Sequence, residues 1–133
     1  MIEYLSLGAI HVRSINLWAH VGVLEEERLL GQEFLLDFSL WLDVRKTVEK
    51  DKIEDSADYS IAIKGLQQLA FEISCFTIET FSEQILDFLE TIYGPVPVKI
   101  CLRKCNPPIK GFSGNVEIER FRYMESLKGY VKI

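Results

Sequence analysis

From Phe34 to Val44, every second residue is a large apolar one: Phe34, Leu36, Phe38, Leu40, Leu42 and Val44. Side chains alternate with period two only in a β-strand, so this run commits the chain to a sheet with one apolar face that must be covered. The intervening residues, Leu35, Asp37, Ser39, Trp41 and Asp43, give the same strand a half-exposed opposite face. Cover is available from two later stretches with helical spacing. Ile63, Leu66, Leu69, Ala70 and Ile73 recur at intervals of three and four, and Ile78, Phe81, Ile85, Phe88, Leu89 and Ile92 form a broader stripe. Thr77 is placed to cap the second helix, and Gly94-Pro95 ends it.

The rest of the chain supplies partners for that strand. Residues 9–20 are rich in β-branched and aromatic residues and read as a first strand, and the segment from Gly22 to Gly31 reverses the chain. Residues 45–58 are polar and read as irregular, with at most a helical turn at 46–49. Strands at 96–103 and at Val116–Arg122 complete a ββααββ order. The expected class is α+β: a four-stranded antiparallel sheet with two helices on one face. With 133 residues and no repeat or linker, residues 1–133 read as a single domain whose last stretch, 124–133, has no assignment.

Composition excludes several functions. The net charge of −5 disfavours polyanionic partners, so neither a nucleic acid nor a membrane surface is expected. The longest uncharged run, residues 14–24, is about half of the roughly 20 residues a bilayer span needs. Glu3 stands where a secretory signal would be basic, so the chain reads as cytoplasmic. Three cysteines, an odd number, fit a reducing compartment. Cys101 and Cys105 would lie roughly 13 Å apart on a strand, too far to bridge. Cys75 reads as a small apolar residue between the helices. With two histidines and no cysteine pair at ligand spacing, no metal site is expected.

Chemistry concentrates in four segments. Arg103-Lys104-Cys105-Asn106-Pro107-Pro108-Ile109-Lys110-Gly111 ends a strand, because two prolines cannot donate to a ladder, and leaves the Lys104 ammonium over the space beyond. The others are Gly22-Val23-Leu24-Glu25-Glu26-Glu27 with Gly31-Gln32, then Asp55-Ser56-Ala57-Asp58-Tyr59, then Thr77-Ile78-Glu79. Taken singly, each has a plainer explanation. Three consecutive acids usually make a solvated face, an acid in a first helical turn complements the macrodipole, and a tyrosine at a helix start often keeps a polar tip in water.

In this order and at these spacings the segments resemble dihydroneopterin aldolase, over residues 9–122. That resemblance implies the tunnelling fold, in which sheets from several subunits close edge to edge into a barrel. It implies a pterin substrate and neither metal nor organic cofactor. It selects Glu27 among the three acids, because Glu27 lies five residues after Gly22 and five before Gln32. Glu79 would hold the amino and ring N–H edge of the pterin with two parallel hydrogen bonds, helped by the main chain of Ile78. Lys104 would act as general base, directly or through water, Tyr59 would deliver the later proton, and Glu27 would position lysine, water and substrate. Val21 stands where many members have histidine, and Cys105 replaces a more usual polar or small residue.

Two alternatives share this pattern: an epimerase acting on dihydroneopterin or its triphosphate, and a ring protein that binds pterins without turnover. The half-apolar face carrying Leu35 and Trp41, together with two open sheet edges, makes a monomer unfavourable. The resemblance implies a tetrameric ring, with two rings stacking into an octamer.

Overall fold

A computed structural model describes residues 7–127 of the chain. In chain order the elements are β1 (Leu7–Val21), α1 (Glu25–Leu30), β2 (Gln32–Asp43), α2 (Arg45–Lys50), a 3-10 turn (Ile53–Asp55), α3 (Tyr59–Glu72), β3 (Ser74–Cys75), α4 (Ile78–Tyr93), β4 (Val98–Lys104), β5 (Val116–Arg122) and a 3-10 turn (Met124–Leu127). Glu3 and residues 128–133 of the C-terminal stretch lie outside the described residues.

The strands form one curled sheet in the order β3-β1-β2-β4-β5. The four long strands pair antiparallel, as the alternation predicts. The sheet nevertheless has five strands among the described residues, not four. Between the two long helices, Ser74 and Cys75 run parallel beside His20 and Val21. Cys75 is therefore a half-buried strand residue, and its carbonyl accepts from the Gly22 N–H at 3.0 Å. Two further short elements depart from expectation. Residues 25–30 form a helical turn where only a reversal was expected. Residues 45–50 form a short helix that ends where Asp51 turns left-handed, with its N–H on Thr47 O.

β1 is longer than residues 9–20 and contains one extra residue. Between Val12 and Ile15 the register on β2 slips by one, Ser14 adopts φ 59°, and its N–H donates to Asp37 Oδ1 at 2.7 Å. A β-bulge of this kind moves the apolar phase from even positions (Ile10, Val12) to odd ones (Ile15, Leu17, Ala19, Val21). Both halves therefore face the same core.

The core lies between the sheet and the two long helices. Phe34, Leu36, Phe38, Leu40, Leu17, Ile100 and Leu102 meet Leu66 and Ala70 from α3 and Phe81, Ile85, Leu86 and Leu89 from α4. Phe34 and Phe81 pack edge to face at 5.3 Å between ring centroids, the geometry aromatic quadrupoles favour. α3 and α4 approach closely at Gly65, where any Cβ would overlap the Phe88 ring. Asp58 caps α3 by accepting from Ser60 N–H, and Tyr93 Oη donates to Asp58 O, so α4 fixes where α3 begins. Thr77 caps α4 by accepting from Thr80 N–H, as its sequence position predicts. The predicted stop is also found: Gly94, at φ 77°, gives its N–H to Glu90 O. β4 runs two residues later at its start and one later at its end than the predicted 96–103. No helix among the described residues is long and apolar enough to cross a membrane.

Candidate active site

Alternation decides where the Lys104 side chain goes. In β4, Val98, Ile100 and Leu102 are buried against the helices, so Lys104 belongs to the same face. Arg103 takes the opposite face and pairs with Glu117 at 3.1 Å. Lys104 is the last residue of its strand, still in register with Phe34 and Val116, and the chain then leaves toward Pro107-Pro108. Its ammonium is thus carried just past the end of the packed core.

Glu27 comes to meet it from α1, the helical turn that the sequence showed only as a reversal. Its carboxylate is buried and forms a 2.6 Å ion pair with Lys104 Nζ. The other contacts are Gln32 Nε2, donating to Oε2 at 2.7 Å, and the Leu24 N–H, donating to Oε1 at 3.1 Å. Gln32 also donates to Val21 O, which locks the amide in this orientation. Burial by itself raises the carboxyl pKa of Glu27. The hydrogen bonds from Lys104, Gln32 and Leu24 outweigh it and hold the group below the ordinary carboxylate range. Gly22 is required beside this pair: its missing side chain leaves room for Glu27, and any Cβ there would overlap the carboxyl group.

The pair opens onto a cavity of about 410 Å³. One wall is the turn Gly22-Val23-Leu24, another is Phe76-Thr77-Ile78-Glu79, and Pro107, Pro108, Ile109 and Val116 close the apolar side. The second wall lies opposite the first because β3 pairs with the end of β1. Glu79 is exposed in the first turn of α4, and its carboxylate has no hydrogen-bond or ion-pair partner among the described residues. A carboxylate without a partner among the described residues, in the first turn of a helix and lining the same largely apolar cavity as a lysine–glutamate pair, suits a ligand that presents N–H donors.

Four of the five predicted site residues therefore share one cavity: Glu27, Ile78, Glu79 and Lys104. Tyr59 does not line it. It begins α3 and is 49% exposed. Sequence reasoning missed Arg28, whose guanidinium donates to Gly22 O and Val23 O and stacks 4.2 Å from the centre of the Phe76 ring. One side chain thus fastens both cavity walls. Its only signal in the sequence is a basic residue directly after an acidic run.

The curled sheet carrying two helices on one face is the tunnelling fold, here with a lysine–glutamate pair and a largely apolar cavity at one end. Crystal structures share the fold. The Escherichia coli dihydroneopterin aldolase in complex with neopterin superposes with a TM-score of 0.73 at 20% identity, covering 85% of this chain and 98% of that one. A Burkholderia dihydroneopterin aldolase bound to guanine gives 0.69 at 17% identity, covering 90% and 93%. By sequence, a probable dihydroneopterin aldolase of Synechocystis is 31% identical over 116 residues, covering 87% of this chain and 98% of that protein. The dihydroneopterin aldolase of a Streptococcus pyogenes strain is 29% identical over 119 residues, covering 87% and 100%. The model of the dihydroneopterin aldolase family (FolB) matches residues 10–120. The chain belongs to that family and is an aldolase of the lyase class.

Proposed function

We propose that the cavity between Glu27, Glu79 and Lys104 binds 7,8-dihydroneopterin and cleaves it to 6-hydroxymethyl-7,8-dihydropterin and glycolaldehyde, a step of folate biosynthesis. The observation that carries this reading is the 2.6 Å Lys104–Glu27 pair facing the same 410 Å³ cavity as the unpartnered Glu79 carboxylate. Glu79 takes the 2-amino and N–H edge of the pterin, and Ile78 adds its main chain. This fixes the ring so that its side chain reaches Lys104.

Breaking the carbon–carbon bond then needs only proton traffic, because the dihydropterin's own C=N bond accepts the electron pair. In its neutral amine form Lys104, directly or through a water held by Glu27, takes up the proton from the hydroxyl on the carbon that leaves as aldehyde and so becomes the ammonium. The bond electrons move into the ring as an enamine, and a proton returned to the exocyclic carbon gives the hydroxymethyl product. Beside the developing alkoxide, the lysine also supplies favourable electrostatics.

Tyr59 enters this scheme from a second subunit. Its exposure at the start of α3, away from its own cavity, and the half-buried Leu35 and Trp41 on the sheet face opposite the helices support such a shared site. The proposed assembly is a tetrameric ring that stacks into an octamer, working in the cytoplasm. Incubating chelator-treated protein with 7,8-dihydroneopterin and separating the products by chromatography tests the reaction. Hydroxymethyldihydropterin with equimolar glycolaldehyde is expected. An epimer without aldehyde, or no turnover, would refute the reading.

A further inference from the structure

Glu79 stands in the first turn of α4, and the first turn is the part of a helix least held by its own hydrogen bonds. Something outside the helix must fix it if the carboxylate is to meet a ligand with a defined geometry. The Thr77 cap holds Thr80 N–H from one side. On the other side a chain of contacts leads out of the helix. Ser82, fully buried, donates its hydroxyl to Glu79 O at 2.7 Å, and its oxygen accepts from Arg120 Nη1 at 3.0 Å. Arg120 Nη2 meanwhile donates to Glu83 Oε1 at 2.7 Å.

Arg120 is aimed there by the sheet. It is in register with buried Ile100 on β4, so it projects from β5 on the helix side. Two residues on, Arg122 does the same and bonds Glu83, Asp87 and Glu90 further along α4. The labour is divided. Arg122 holds the body of the helix to the sheet, whereas Arg120 reaches the turn that carries Glu79, through a buried serine.

We propose that Arg120 is a positioning residue for pterin binding, setting the Glu79 carboxylate through Ser82; this rests on Glu79 being the pterin anchor. Arg120 does not line the cavity. Its loss changes how well the carboxylate is aimed, while Arg122 keeps the helix docked.

The test is a fluorescence titration of neopterin onto the assembled protein, with turnover measured in parallel. Arg120→Met and Ser82→Ala should each weaken neopterin binding about threefold to tenfold, the range for one lost hydrogen bond. The kcat at saturating substrate should stay within about twofold. Arg120→Lys, which keeps one donor, should recover part of the loss. In a Glu79→Ala background, Arg120→Met should have no further effect on affinity, because the group it aims is gone. Equal losses from Arg120→Met in both backgrounds would overturn the proposal, as would unchanged affinity in the Arg120 and Ser82 variants. If Glu79→Ala itself leaves affinity unchanged, the anchor falls and this inference with it. If Arg120→Met fails to fold, Ser82→Ala carries the same comparison.

Discussion

Gly22→Ala adds one methyl group and should disable the site. The backbone there suits any L-residue, so the consequences come from space alone. The new Cβ would overlap Cδ and Oε1 of Glu27 and lie 2.5 Å from its Cβ, whereas carbons rest at about 3.5–4.0 Å. Glu27 must therefore retreat by roughly 1 Å. Its carboxylate is held by contacts of 2.6, 2.7 and 3.1 Å to Lys104, Gln32 and Leu24 N–H, and such a shift takes at least part of that set beyond hydrogen-bonding range. Overpacking of this kind costs about 1–3 kcal/mol of stability. Misplacing a catalytic group by about 1 Å costs on the order of 100-fold in rate. Thermal melts and steady-state turnover of the purified variant measure both effects. A double variant supplies the control: in a Glu27→Gly background the clashing atoms are absent, so Gly22→Ala should no longer lower the melting temperature. A Gly22→Ala protein with unchanged melting temperature and unchanged kcat would refute the reasoning.

Binding and chemistry should separate by residue. Glu79→Ala should weaken pterin affinity by about 2–5 kcal/mol, read by equilibrium titration, whereas Lys104→Ala should chiefly lower kcat. Unchanged affinity in the first, or full turnover in the second, would count against the assigned roles. Mixing inactive Tyr59→Phe with inactive Lys104→Ala subunits should restore activity, because some sites in mixed rings draw both residues from intact copies. Absence of rescue after proven subunit exchange, or a fully active monomer in sedimentation, would rule out the shared site. Glu27 should give stability a pH dependence of known sign. Its folded pKa lies below the ordinary 4.5, so its contribution is complete above that value and is lost as pH falls through the lower folded value. The melting-temperature gap between wild type and Glu27→Gln should therefore be widest near neutrality and close in acid; a gap that stays constant with pH would contradict this.

Much of this protein was legible in its sequence because local rules set it. The period-two run of β2, the helical spacing of α3 and α4, the Thr77 cap and the Gly94 stop each depend on residues a few positions apart. The same holds for the end of β4 at Lys104, whereas Glu27, Ile78, Glu79 and Lys104 were named as one site only through the resemblance of the four segments, in their order and spacing, to a known family. The β1 bulge is also written in the chain, as a shift of apolar phase between Val12 and Ile15, but the shift acquires meaning only when paired with β2. What only the tertiary structure decided involves partners distant along the chain. Glu27 meets Lys104 because α1 folds back over the end of β4, and Phe76 faces Gly22 because β3 pairs with β1. Arg120 reaches the turn bearing Glu79 because β4 sets the face from which it projects. Spacing along a sequence encodes which face a side chain takes. It does not encode what that face will meet, because the meeting follows from strand register and helix docking, which the whole core determines at once.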